Sequence, residues 1–399
     1  MKGVNPLHAA LLLTEKPGSW TAWQVVPIPL ILAAVAGWVW ATAARSPAAG
    51  WAAALGLLAF VLADWQLFAA LPRRGVSFGP IPPPLLGLAL VRCLVILAAA
   101  GLAPAWSPPG LAPVWPWPGL AAALAVQLLG SAFVVYGTLV EPFRLRVTRL
   151  EIACPSLANP GTPLRLVHLS DIHVERTTRR ERDLPALVAR LEPDLIVVTG
   201  DYLNASYIDD LRALADLQAL LIRLRALGGV YGCLGTLEVD LPELMRPVLA
   251  GAGVDLLEDR AAELSVGGHR LWLAGIRCTR DPAADGARLG DLLAGAPPGA
   301  LKIVLYHMPD MLPEAAALGV DVVLSGHTHG GQWRLPGFGA LLTNSRYGKR
   351  YEAGHYRQGE THMVVSRGLG MEGFGMPRAR FFCPPEVVLI TLSAGGTDD

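Results

Sequence analysis

The chain has 399 residues, 52% of them hydrophobic and only 17% charged, with a mean hydropathy of +0.41. Soluble domains carry about a quarter charged residues, so a wholly soluble protein, a long disordered chain and a collagen-like repeat are all excluded. Its 33 basic and 33 acidic residues cancel, which argues against nucleic acid as the main partner.

Hydropathy is unevenly spread. Between Pro17 and Val140 there are only five charges, Arg45, Asp64, Arg73, Arg74 and Arg92, and nine of the 11 tryptophans lie at or before Trp117. Indole rings at a lipid–water boundary produce that distribution. A spanning helix needs about 20 apolar residues. Val25–Ala44, Ala52–Leu71, Leu85–Ala103 and Leu120–Val140 each supply them, separated by connectors such as Pro80–Pro84 and Pro104–Pro118. The first does not read as a cleaved signal, since 24 residues precede it and no small-residue cleavage site follows. Lys2, Lys16, Arg73, Arg74, Arg144, Arg146 and Arg149 fall on one side of four such spans, and Arg45 on the other. The positive-inside rule then predicts a multi-pass inner-membrane protein with both termini and the whole C-terminal domain in the cytoplasm. Asp64 and Arg92 lie inside spans two and three, each roughly 10 Å deep at 1.5 Å per residue, so an ion pair is expected rather than a transport path.

From Glu141 onward the chain carries 27 basic and 31 acidic residues and alternates short apolar runs with polar turns. The runs are Leu164–Leu169, Leu195–Thr199, Val230–Leu234, Leu271–Ile276, Leu301–Tyr306, Val320–Ser325, Met363–Ser366 and Val387–Leu392. Arg182–Leu191 and Leu211–Leu227 have helical spacing between them. This alternation predicts an α/β sheet domain with its chemistry past the carboxyl ends of strands. The expected organisation is a cytoplasmic segment 1–24, four transmembrane helices within 25–140, a linker 141–163, the α/β domain 164–393 and a tail 394–399. Five scattered cysteines without CxxC spacing predict buried reduced thiols rather than disulfides.

Polar residues able to bind metal follow four of the runs: Ser170-Asp171-Ile172-His173, Gly200-Asp201, Tyr306-His307 and Gly326-His327-Thr328-His329-Gly330-Gly331-Gln332. Asp-x-His or Gly-Asp alone is more often a turn, but two histidines among glycines after a buried strand serve packing poorly. Mixed Asp/His ligation suits Mn, Fe, Zn or Ni. Two such ions about 3.5–4 Å apart polarise a phosphoryl group, and the two oxygens of Asp201 would let it bridge them.

These motifs resemble the calcineurin-like metallophosphoesterase superfamily, especially its membrane-anchored bacterial branch, over roughly Leu164 to Leu392, including Ser366-Arg367-Gly368-Leu369-Gly370 and Pro384-Pro385-Glu386. The resemblance implies a four-layer αββα sandwich of two mixed sheets. It also implies that Asp171, His173 and His329 hold one metal, that Asp201 bridges, and that His307 and His327 hold the second. One segment departs from the family, which has Gly-Asn-His and an acidic residue where this chain has Gly235-Thr236-Leu237-Glu238-Val239-Asp240. Thr236 would be a weak substitute for the amide ligand, and Leu237 cannot donate a proton. Glu238 or Asp240 turned inward would be the alternative acid–base group, with Glu238 and Asp201 the expected catalytic carboxylates.

Three functions compete. The favoured one is a phosphoesterase with two divalent ions, cleaving phosphodiester or pyrophosphate bonds at the cytoplasmic face. The membrane tether suggests a lipid-linked substrate. The apolar loop Trp333–Leu342 either dips toward acyl chains or packs as ordinary core. Arg367, Arg378 and Arg380 are candidate phosphate contacts, although a surface or structural role is the commoner one for any single arginine. The second is a metal-binding scaffold without turnover, and the third a transporter with a regulatory domain.

Overall fold

The computed structural model describes residues 16–74, 76, 79–102, 116–157, 159, 161–373 and 378–394. The connector 104–118 therefore lies mostly outside the described residues, as do most of the N-terminal segment and of the C-terminal tail. The chain separates into two compact units, 1–140 with 373–378, and 141–372 with 379–399.

Among the described residues of the first unit, four helices are long and apolar enough to cross a membrane. After a short turn Ala22–Val25 come α1 (Pro27–Ala43), α2 (Pro47–Ala70), α3 (Pro82–Leu102) and α4 (Pro116–Leu139). The last three begin three to five residues earlier than the apolar runs suggest, because prolines read as connectors open them instead. Proline lacks only an N–H that the first turn leaves unpaired anyway. Ser46 caps α2 by accepting from the Ala49 amide. Asp64 and Arg92 pair as expected: Arg92 Nε and Nη2 each lie 2.7 Å from a different Asp64 oxygen. Arg92 also donates to Gln127 Oε1 (3.0 Å) and Ser131 Oγ (2.9 Å), so one buried ion pair links α2, α3 and α4.

The second unit is built on two six-stranded sheets. In chain order its elements are β1 (Arg146–Ala153), β2 (Leu164–Leu169), α5 (Arg179–Ala189), β3 (Leu195–Thr199), α6 (Leu211–Leu221), β4 (Val230–Cys233), α7 (Pro242–Gly251), β5 (Asp255–Leu256), β6 (Arg260–Val266), β7 (His269–Gly275), α8 (Pro282–Leu293), β8 (Leu301–Leu305), α9 (Leu312–Ala317), β9 (Val322–Ser325), a small hairpin of β10 (Arg334–Leu335) and β11 (Gly339–Ala340), β12 (Gly354–Gln358), β13 (Thr361–Val365) and β14 (Glu386–Ser393). The first sheet runs β1-β14-β2-β3-β4-β5 and the second β12-β13-β9-β8-β7-β6. Each is mixed: β14 against β2, β12 against β13 and β6 against β7 are antiparallel, and the other neighbours parallel. Residues 141–163, expected as a linker, instead contribute β1, which pairs with β14 from Arg146↔Glu386 to Ala153↔Ser393.

Alternation along the central strands sets four layers. Leu195 and Val197 of β3 share a core with Leu271, Leu301 and Leu324 of the second sheet, whereas Ile196 and Val198 pack against Leu184, Leu217 and Leu249 of α5–α7. On the far side Val304 and Val323 meet Leu289 of α8 and Leu312 of α9. Central strands covered on both faces need unbroken apolar sequence, which is why they read as runs. All five cysteines are buried and free.

Candidate dinuclear metal centre

Four candidate ligands occupy one topological position. Asp171, Asp201, His307 and His327 each stand two residues beyond the end of a strand, after β2, β3, β8 and β9 respectively. Strand-like bonds continue into these loops: the Asp171 amide donates to Gly200 O (3.0 Å), that of His173 to Asp201 O (3.1 Å), and that of Gly326 to His307 O (2.8 Å). The His327 amide lies 3.0 Å from both Asp171 oxygens, tying one sheet to the other. No side chain fits at Gly326, where a Cβ would overlap Ser170 Oγ and the Asp171 carboxylate.

Five of the six candidate ligands, Asp171, His173, Asp201, His327 and His329, adopt left-handed backbone with φ of 45° to 68°. Such geometry costs a non-glycine residue on the order of 1–3 kcal/mol and persists only where the surroundings enforce it. No residue pattern announces it in the sequence.

The six side chains are buried and gather into two groups, Asp171 with His173 and His329, and Asp201 with His307 and His327. In the first, His173 Nε2 is 3.1 Å from His329 Nε2, and Asp171 Oδ1 is 3.4 Å from His329 Nε2 and 4.0 Å from His173 Nε2. In the second, His307 Nε2 is 3.2 Å from both Asp201 Oδ2 and His327 Nδ1. Asp201 Oδ2 is also 3.7 Å from His173 Nε2, so this oxygen faces both groups.

The donor set fits two cations. Ligands bound at about 2.0–2.2 Å stand about 3.0–3.5 Å apart around one ion, close to these separations. The ring protons are committed elsewhere: His307 Nδ1 contacts Thr199 O (2.7 Å), His173 Nδ1 contacts Glu372 Oε1 (2.9 Å) and Leu203 O (3.2 Å), and the His327 ring bonds the Asn344 backbone. In the neutral form of these three imidazoles the other ring nitrogen can present a lone pair to a cation, beside the carboxylate oxygens. Burial pulls His173 and His307 down, but Glu372, Asp201 and Asp171 outweigh it and raise them to about 9 and about 10. Burial opposes ionisation of Asp201, yet His307 and His173 hold its carboxyl far below the usual range.

The departing segment behaves differently from its expected roles. Thr236 turns toward Asp201, its amide donating to Oδ1 (2.7 Å) and its hydroxyl to Oδ2 (3.4 Å). Leu237 packs against the helix-covered core of the first sheet. Glu238, expected as a catalytic carboxylate, is not brought into either group. Its side chain is 69% exposed and pairs with Arg280 (3.3 Å), because the turn that buries Asp240 points it outward. Asp240 is the carboxylate that turns inward. It accepts from the amides of Asp201 (2.7 Å), Gly235 (2.8 Å) and Tyr202 (2.9 Å), and burial and Asp201 raise its carboxyl to about 7.

The arginines read as phosphate contacts are engaged otherwise. Arg380 is fully buried and donates to the carbonyls of Arg367, Gly368, Gly370 and Cys383. Arg367 lies 3.7 Å from Glu386. Arg378 groups with the apolar-helix unit, its guanidinium against Gly79. Glu372 stands beside a candidate ligand although no sequence motif marks it, whereas Asp240 is one of the two carboxylates that the sequence offered to turn inward.

Comparison with known proteins agrees with this geometry. The family model for calcineurin-like phosphoesterases matches residues 164–331. An uncharacterized metallophosphoesterase of Bacillus subtilis is 30% identical over 65% of this chain and 89% of its own. A phosphodiesterase of Escherichia coli is 30% identical over 58% of this chain and 83% of its own. A UDP-2,3-diacylglucosamine pyrophosphatase of Chlamydia muridarum is 26% identical over 64% of this chain and 92% of its own.

Proposed function

Since the chain belongs to the calcineurin-like phosphoesterase family, a divalent-metal-dependent family of phosphoester hydrolases, we propose that it hydrolyses a phosphodiester or pyrophosphate bond in a lipid-linked substrate at the cytoplasmic face of the inner membrane. The observation carrying this reading is the pair of buried Asp/His groups that share Asp201. Asp171, His173 and His329 would hold one ion and His307 and His327 the other, with Asp201 facing both, and Mn, Fe, Zn or Ni are the metals such a set prefers. Two bound ions supply charge stabilisation at the phosphoryl oxygens and a nucleophile from water at neutral pH. Thr236 orients Asp201 through its amide and hydroxyl.

Leu237 offers no proton to a leaving group. A positioned acid is worth about 10²–10⁴-fold where the leaving group is basic. Its absence favours substrates that depart as stable anions, and a phosphoanhydride is one. The lipid-linked part rests on the hairpin that begins five residues past His329. Its apolar residues Phe338 (59%) and, just beyond, Leu342 (57%) are exposed, as is Leu335, while Trp333 packs edge-on against Phe381. The pyrophosphatase among the relatives acts on UDP-2,3-diacylglucosamine, an acylated pyrophosphate of this chemical kind.

The test is turnover by purified full-length protein, stripped and reloaded with Mn²⁺, on bis-p-nitrophenyl phosphate, an alkyl phosphodiester and an acylated nucleotide-sugar pyrophosphate. Expected are hydrolysis of the first and third and little of the second. Phe338→Asp with Leu342→Asp should depress only the acylated substrate. Metal binding without turnover of any of them would favour the scaffold reading, which the substitutions at Thr236 and Leu237 support.

A further inference from the structure

His173 differs from the other candidate ligands in what stands behind it. His307 and His327 are backed by backbone, and His329 Nδ1 has no partner among the described residues. Behind His173 Nδ1 is a carboxylate, Glu372 Oε1 at 2.9 Å, only 10% exposed. A carboxylate buried for packing alone would satisfy both oxygens. Here Oε2 is buried and without a partner among the described residues, so the carboxylate is committed to the imidazole. Glu372 is itself clamped. Its amide donates to Gln332 Oε1 (2.9 Å) and its carbonyl accepts from Gln332 Nε2 (3.0 Å). Gln332 stands three residues after His329, so a chain His329 loop–Gln332–Glu372–His173 joins the two imidazoles of one group through an element that supplies no ligand.

We propose that Glu372 is the positioning residue of the first metal group. It fixes the Nδ1-protonated tautomer of His173 and aims Nε2 at the ion, while Gln332 holds Glu372 in register with His329. The assignment rests on the metal-binding reading above. Partners of this kind are typically worth 10–100-fold in metal affinity.

Mn²⁺ binding to the full-length protein in detergent, followed by calorimetric titration, tests it. Wild type should bind two ions. Glu372→Ala should weaken one of the two sites by about 10–100-fold and leave the other within about threefold. Glu372→Gln keeps an acceptor for the Nδ1 proton and should restore most of the loss. Gln332→Ala should weaken the same site by less. Equal weakening of both sites, no weakening, or Gln as poor as Ala would overturn the assignment. If the Ala variant does not fold, the Gln and Gln332→Ala proteins decide by the same criteria. A wild type that binds no Mn²⁺ would instead defeat the metal reading itself.

Discussion

At the scale of single residues, the electrostatics of the candidate ligands should couple metal binding to proton release. The surrounding carboxylates raise His173 and His307 to about 9 and about 10, which favours their protonated forms at pH 7. Bound imidazoles must be neutral, so filling both sites should release about two protons at pH 7. Mn²⁺ affinity should therefore rise with pH up to the region of those values and fall steeply below neutrality. Titrations in buffers of different ionisation enthalpy measure the count, and a release near zero would show that the imidazoles are neutral beforehand. Asp240 carries a different load. Three backbone amides end on its oxygens, so Asp240→Asn, which sets an NH₂ against at least one of them, should cost about 1–3 kcal/mol in chemical denaturation. Restoring the family pair with Thr236→Asn and Leu237→His should raise turnover of basic-leaving-group substrates by about 10²-fold or more, and flatten the dependence of rate on leaving group. An unchanged dependence would mean that the acid has been replaced rather than lost. Ligand identity was legible from residue types after apolar runs. The left-handed backbone of five ligands, and Glu372 in an irregular stretch between β13 and β14, were not, because neither leaves a local pattern.

Secondary-structure elements divide by whether both faces are covered. The eight apolar runs correspond to the eight interior strands of the two sheets, while the edges β1, β5, β6 and β12 were not anticipated. The reason is physical. An edge strand shows charge to solvent, as with Arg146, Arg149 and Glu151 in β1 or Arg260 and Glu263 in β6, and so reads as a linker. Helices α2 to α4 begin before their apolar runs for a different reason: each opens on proline, which punctuates the sequence yet fits the first turn of a helix. The membrane helices offer a sharper test, since Asp64 and Arg92 link α2 to α3 and Arg92 reaches Gln127 and Ser131 on α4. Asp64→Leu or Arg92→Ala alone strands a buried charge, expected to cost about 3–5 kcal/mol, whereas the double replacement should cost much less than the sum. Thermal unfolding of the detergent-solubilised variants reads this directly. Additive losses would mean that each residue is held by partners other than the other.

Across the whole α/β unit, each candidate metal group draws on both sheets. Asp171 and His173 follow β2 while His329 follows β9, and Asp201 follows β3 while His307 and His327 follow β8 and β9. Two ions would therefore cross-link the layers of the sandwich at the ends of its central strands, where the chain alone offers clustered acceptors and strained backbone. Ions that bind only the folded state stabilise it by mass action, about 2.7 kcal/mol for each site at a free concentration 100-fold above its Kd. For a domain of this size that corresponds to roughly 5–10 °C per site. Stripping the protein with a chelator should lower its Tm by at least that much, and adding Mn²⁺ back should restore it in two steps. Asp201→Asn removes the oxygen charge facing both groups, so it should shrink both steps together, whereas His329→Ala should shrink one. A chelated protein with an unchanged Tm would mean that the sandwich is held by its apolar core alone and that the centre contributes nothing to joining the sheets.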